Sequence, residues 1–210
     1  MNEPNRAVPA FAAQPVWVRG LTVARGEQVL FRSLSFSVAP GGVLLLRGPN
    51  GAGKSTLLLT LAGIVRADAG TIEGIGRTEL HLLGYQSGFK ARLTVTENLR
   101  FWQAVNGSGG LPTEAALERV GIGSLGQLEA GYLSSGQLRR LALARLLVSP
   151  RRVWLLDEPN ATLDAEGEIL LGELVDAHRA AGGIAVVATH HELRLGAEAE
   201  VGTITLGGGA

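Results

Sequence analysis

The segment Gly48-Pro49-Asn50-Gly51-Ala52-Gly53-Lys54-Ser55-Thr56 constrains this chain more than any other stretch of it. It fits the pattern G-x-x-x-x-G-K-[ST], and it lies between a short apolar run, Val43–Leu46, and a segment from about 53 to 63 that suits a helix. The residue types follow from the chemistry. Gly48, Gly51 and Gly53 let successive backbone N–H groups turn inward around a phosphate without side-chain clash. A helix starting near Gly53 adds the positive end of its dipole. Lys54 reaches the β and γ oxygens of a triphosphate, and the Ser55 hydroxyl ligates Mg²⁺. Only two of the nineteen basic residues are lysines, and one of them is Lys54.

The texture around this loop predicts an α/β protein. VWVRGLTVA and VLFRSLSFSV, flanking a turn at Gly26, read as an antiparallel hairpin between Val16 and Val38. VLLLR (43–47) reads as a strand buried on both faces of a parallel sheet. From Lys90 to Val148 the pattern is helical: TVTENLRFWQAV with Thr96 as its cap, PTEAALERV with Pro112 near a start, and an amphipathic SSGQLRRLALARLLV. The α/β alternation then resumes with RVWLLD (152–157), a helix at about 165–181, IAVVAT (184–189) and VGTITL near the end. Residues 1–15 are expected to form a loose tail and 16–210 a single domain, with a small inserted helical subdomain at about 90–148.

Composition excludes several classes of function. There is no cysteine, so disulfides, zinc–thiolate sites, iron–sulfur clusters and covalent c-type haem attachment are ruled out. The formal net charge is zero, which offers no basic surplus for nucleic acid. The longest apolar runs fall far short of the roughly 20 residues that span a bilayer. The N-terminus lacks the features of a signal peptide. If the protein acts at a membrane, another subunit is expected to supply the spanning helices.

A second cluster of chemistry lies in VWLLDE (153–158). Four apolar residues deliver Asp157 and Glu158 to the carboxyl end of a buried strand, where α/β sheets bind ligands. Asp157 is placed to hold the Mg²⁺ shell. Glu158, expected to point to the opposite face, is placed to orient and deprotonate an attacking water.

Phosphate-binding loops serve many nucleotide-hydrolysing families, and Leu133-Ser134-Ser135-Gly136-Gln137 decides between them. LSSGQ followed by LRRLALARLL resembles the signature of ABC ATPases. The remaining elements occur in that family's order: Gln86 in a Q-loop, NATLD (160–164) as the D-loop, and His190 after IAVVAT as the switch histidine. The resemblance runs from about Trp17 to the C-terminus and implies the P-loop fold of ABC type, with a mixed central sheet, an N-terminal antiparallel β subdomain and a helical insertion. It also implies a head-to-tail homodimer. Each ATP would lie between one copy's loop (Gly48 to Thr56) and the partner's Ser134, Gly136 and Gln137. Glu158, His190 and Gln86 would act in hydrolysis, and Ser55, Gln86 and Asp157 at the metal. His191 is expected to be a mere neighbour, and His81 and His178 structural or surface residues.

Two positions depart from the family pattern. Arg25 stands where an aromatic residue often stacks on adenine, and its guanidinium plane can take over that contact. The D-loop has Ala161 and Thr162 where Ser and Ala are usual.

Within the family, GEQVLFRSLSFSVAPG, YQSGFKARLTVTENLRFW and LSSGQLRRLALARL resemble the ATP-binding subunit of the bacterial cytochrome c maturation haem exporter. That resemblance implies a peripheral place on the cytoplasmic face of the inner membrane, under an integral membrane permease that docks around Gln86–Asn98. No cluster of ligands on this chain suits haem, so haem is not expected to bind here directly. The alternatives are the ATPase of a lipid or drug exporter and, less favoured, a non-transport ABC protein.

Overall fold

The structure, a computed structural model, describes residues 10–26, 28–84, 88–197 and 199–207. Two sheets organise it. Strands β1 (Val16–Arg25) and β2 (Gln28–Val38) form the expected hairpin, and β4 (Ala69–Glu73) pairs antiparallel with the other edge of β1. The second sheet runs β5-β6-β7-β3-β8 and is parallel throughout, with β3 at Val43–Arg47, β5 at Leu80–Leu83, β6 at Val153–Asp157, β7 at Ile184–Ala188 and β8 at Val201–Thr205. The antiparallel strands thus form a sheet of their own. Two strands lay unread in the sequence: β4 completes the antiparallel sheet and β5 forms one edge of the parallel one.

Whereas the edge strand β8 is largely exposed, the interior strands β3, β6 and β7 are apolar up to Arg47, Asp157 and Ala188 because both of their faces are covered. Their side chains alternate strictly between two cores. Leu44, Leu46, Val153, Leu155, Ile184, Val186 and Ala188 face helix α1 (Lys54–Leu61) and the antiparallel sheet. Val43, Leu45, Trp154, Leu156, Ala185 and Val187 face helices α2 (Val95–Asn106), α3 (Thr113–Arg119), α4 (Ser135–Val148) and α5 (Ala165–Ala180). Each fully buried leucine contributes about 1.5–3 kcal/mol of transfer free energy.

Local rules and packing disagree with the sequence reading at four places. Helix α2 is capped by Thr94, whose hydroxyl accepts from Glu97 N while the Glu97 carboxylate accepts from Thr94 N. Thr96, the expected cap, is a buried helical residue. The reciprocal box needs Glu or Gln three residues past the cap, and only Thr94 has one. Helix α4 is not amphipathic: the run Leu141–Leu146 is buried on all sides, Arg145 included. Residues 10–15, expected in a loose tail, are tied down. Phe11 N donates to Ala181 O, the Phe11 ring meets His178 edge-on, and Arg152 donates to the Gln14 carbonyl. Finally, Asn98 is fully buried and bonds Lys90, Leu93 and Thr94, so it shapes the 90–94 loop from within and offers no surface to a partner.

Candidate functional site

The phosphate loop leaves β3 and enters α1 with Gly48, Gly51 and Gly53 all at positive φ (133°, 82° and 96°). At Gly48 a Cβ would fall 2.3 Å from the Leu206 carbonyl oxygen, so glycine is required by close approach as well as by torsion. Gly53 packs under Leu30 and Phe31 of β2, which places the hairpin over the start of α1. Arg25 is exposed at the tip of that hairpin, paired with Gln28. Of the loop residues, Pro49, Asn50, Gly51 and Ser55 are exposed, whereas Lys54 is buried and Ala52 and Thr56 are half-buried.

Lys54 Nζ donates to the carbonyls of Gly48 (2.7 Å) and Pro49 (3.1 Å) and lies 3.0 Å from His190 Nε2. The same imidazole nitrogen lies 3.0 Å from Asn50 Oδ1 and 3.6 Å from Glu158 Oε1. Segments near residues 50, 158 and 190 therefore converge at one point. They do so because β3, β6 and β7 are parallel and in register, with Leu46 and Asp157 both opposite Ala188, so their carboxyl ends open on the same side.

Glu158 does not continue the strand. Its φ is 44°, its N–H donates to Ala188 O, and its carboxylate accepts weakly from His190 N at 3.4 Å. A non-glycine residue in the left-handed region costs on the order of 1 kcal/mol and persists where surroundings enforce it. This turn, and not strand alternation, aims the carboxylate at the histidine. Asp157 ends β6 half-buried. Ser55 and Asp157 offer hydroxyl and carboxylate oxygens, hard donors that suit Mg²⁺. Among the described residues no three His, Cys, Asp or Glu side chains gather into a metal cluster. Gln86 lies outside the described residues.

The signature stands at the start of α4. Ser134 is its N-cap: the Ser134 hydroxyl accepts from Gln137 N, and Gln137 Oε1 accepts from Ser134 N. Ser134 and Ser135 are exposed, and Gly136 is half-buried. This end of the helix is not joined to its own chain's phosphate loop by any hydrogen bond among the described residues. It meets the D-loop instead. Thr162, at φ 71°, donates from its hydroxyl to Ser135 O, and a Cβ on Gly136 would lie 2.9 Å from the Thr162 carbonyl. Arg140 bonds Asp164 at 2.7 Å, and Asp164 also caps α5 through Gly167 N. Those two donors hold the Asp164 carboxyl below its ordinary pKa.

Sequence reasoning missed four residues that shape the site. Buried Asn160 accepts from the buried Thr189 hydroxyl (2.8 Å), which itself accepts from His191 N. Arg47 reaches the backbone on both sides of His190. Arg140 ties signature helix to D-loop. An arginine ending an otherwise apolar strand was the one available signal. The other histidines are buried and structural: His81 meets Ser149 O and His178 stacks flat on Trp154. Burial pushes their pKa values down to about 3 and about 4.

Comparison with known proteins places the chain in a family. A family model described as ABC transporter matches residues 31–161. The chain is 49% identical over 181 residues to the cytochrome c biogenesis ATP-binding export protein CcmA of Ruegeria pomeroyi, covering 86% of this chain and 87% of the relative. It is 47% identical over 184 residues to the CcmA of Paracoccus denitrificans, covering 88% and 86%. The fold is similar to an ATP-binding cassette of an ABC transporter in its ADP conformation, at TM-score 0.71 and 23% identity, covering 86% of this chain and 83% of that one.

Proposed function

The chain belongs to the ABC transporter family, and from that premise we propose that it is the ATP-hydrolysing subunit of a transporter that handles haem for cytochrome c biogenesis. One observation carries the hydrolytic reading: Lys54, Asn50 and Glu158 all lie within 3.6 Å of the His190 imidazole. The likeness at 49% identity to a cytochrome c biogenesis protein favours this system over a lipid or drug exporter.

In this reading the triphosphate lies along Gly48–Thr56. N–H groups of the glycine-rich turn and the start of α1 bind the β-phosphate. Lys54 exchanges its carbonyl and imidazole partners for β and γ oxygens, which bind an ammonium more strongly than neutral acceptors do. Ser55 Oγ and Asp157, with Gln86, would hold a Mg²⁺ ion, which would neutralise phosphate charge. Glu158 accepts the proton of the attacking water, and His190 keeps the γ-phosphate in line. Arg25, at the hairpin tip, stacks on the base.

The far side of the γ-phosphate is supplied by a second copy. Its Ser134 hydroxyl, Gly136 N–H and Gln137 approach with the positive end of α4 behind them, and the exposed position of Ser134 supports this. ATP bridges the homodimer and hydrolysis releases it. A transporter ATPase works with membrane subunits, and among the described residues no helix is long and apolar enough to cross a membrane. The proposed site of action is the cytoplasmic face of the inner membrane, against an integral permease. Complementation of a strain lacking the gene tests this. Wild-type protein restores c-type cytochromes and Lys54→Ala does not. Normal cytochrome levels in the deleted strain would rule out the assigned system.

A further inference from the structure

We infer that Arg47 is a positioning residue for hydrolysis, a clamp that holds the backbone on either side of His190 so that the imidazole stays over the phosphate loop. The inference rests on the role given to His190 above. Arg47 is the last residue of β3 and directly precedes Gly48. Because β3 lies beside β7, with Leu46 opposite Ala188, its side chain runs alongside the turn that follows β7. A single terminal nitrogen, Nη1, donates to Thr189 O at 2.8 Å and to His191 O at 2.7 Å. That nitrogen carries two hydrogens, one for each of the carbonyls that flank His190.

The clamp is itself anchored. The Arg47 carbonyl accepts from Leu206 N at 2.9 Å, and Gly48 sits against the Leu206 carbonyl, so β8 fixes the stem of the arginine from the other side. His190 bears on three groups of the site through its ring, whereas among the described residues its own peptide N–H has only a long contact, 3.4 Å, to Glu158. The imidazole therefore depends on its neighbours' carbonyls for its place. Asn160 and the Thr189 hydroxyl brace this turn from within, the hydroxyl also accepting from His191 N, and Arg47 bonds the carbonyls on both sides of His190. Since Arg47 also leads into the phosphate loop, the loop and the switch turn share one rigid link.

The test uses the purified transporter complex and four variants of this subunit: Arg47→Met, Arg47→Lys, His190→Ala and the Arg47→Met/His190→Ala double. A misplacement of about 1 Å at a reacting centre costs up to roughly a hundredfold. Arg47→Met is expected to lower kcat roughly tenfold to a hundredfold, with KM for ATP within about twofold of wild type. Arg47→Lys recovers part of the loss, and the double variant is no slower than His190→Ala, read by single-turnover hydrolysis over long incubations. A raised KM with unchanged kcat, or losses that multiply in the double variant, overturns the clamp while leaving the function of His190 intact. Wild-type turnover in His190→Ala overturns the reading of His190 and the clamp with it. Should Arg47→Met fail to fold, Arg47→Leu and Arg47→Gln go through the same cycle; multiplying losses again reject the clamp, and non-additive losses support it.

Discussion

Lys54 Nζ and His190 Nε2 stand 3.0 Å apart, although 136 residues separate them along the chain. The contact joins the phosphate loop to the turn after β7. An ammonium only donates, so against Lys54 the imidazole nitrogen must be an acceptor. The Asn50 amide, whose oxygen lies 3.0 Å from the same nitrogen, can turn to present either its oxygen or its NH₂ group to it. In the function proposed above, a γ-phosphate would take Lys54 and Nε2–H as donors together.

Lys54→Ala is expected to weaken ATP binding by about 1.5–3 kcal/mol, roughly a tenfold to hundredfold rise in Kd. The lysine is buried against two loop carbonyls, so the loss falls on the loop itself. Isothermal titration of the purified subunit measures it, and an unchanged Kd would remove Lys54 from the phosphate site.

Glu158→Gln should bind ATP normally and hydrolyse it roughly a hundredfold or more slower, because the amide keeps the shape but cannot take a proton. Size-exclusion chromatography with ATP is expected to show an accumulated dimer. Normal turnover in this variant would exclude Glu158 as the base.

Ser134 separates capping from catalysis. Ser134→Ala removes the acceptor for Gln137 N and should cost about 1 kcal/mol of stability. Ser134→Asp keeps the cap, so thermal unfolding stays near wild type, yet its charge repels the γ-phosphate and stops turnover. Active Ser134→Asp complexes would mean that this helix end meets no nucleotide.

Arg25→Ala is expected to raise the Kd for ATP a few-fold, the measure of an exposed stacking contact of about 0.5–1 kcal/mol. Arg25→Tyr should restore it. Identical affinities across the three proteins, measured by fluorescent-nucleotide titration, would reject base stacking at the hairpin tip.

His81 and His178 make stability depend on pH. Their folded pKa values, about 3 and about 4, lie below the ordinary 6.5, so the unfolded chain binds more protons between these limits. Stability therefore rises with pH from about 4 to 6.5 and levels off above that. At pH 5 each histidine takes away about 2 kcal/mol relative to pH 7. Urea unfolding at both values checks this, and His178→Gln should show a smaller difference than wild type.

The order of motifs, the hairpin and the central parallel strands were legible in the sequence because each is a local signal: glycine spacing, an unbroken apolar run, a signature ahead of a helix. Strands β4 and β5 were not. Ala69–Glu73 is mostly exposed and Leu80–Leu83 only half-buried, so neither carries the apolar run of an interior strand. The Thr94 cap is written in the sequence as a Thr followed three residues on by Glu97, whereas Thr96 has Leu99 at the corresponding place. The chain alone thus named Lys54, Glu158 and His190 as candidates. Their meeting at one nitrogen, the left-handed turn at Glu158 and the grip of Arg47 on the His190 backbone were decided by the tertiary structure, because parallel strands align residues across more than a hundred positions and no local periodicity encodes which ends will lie side by side.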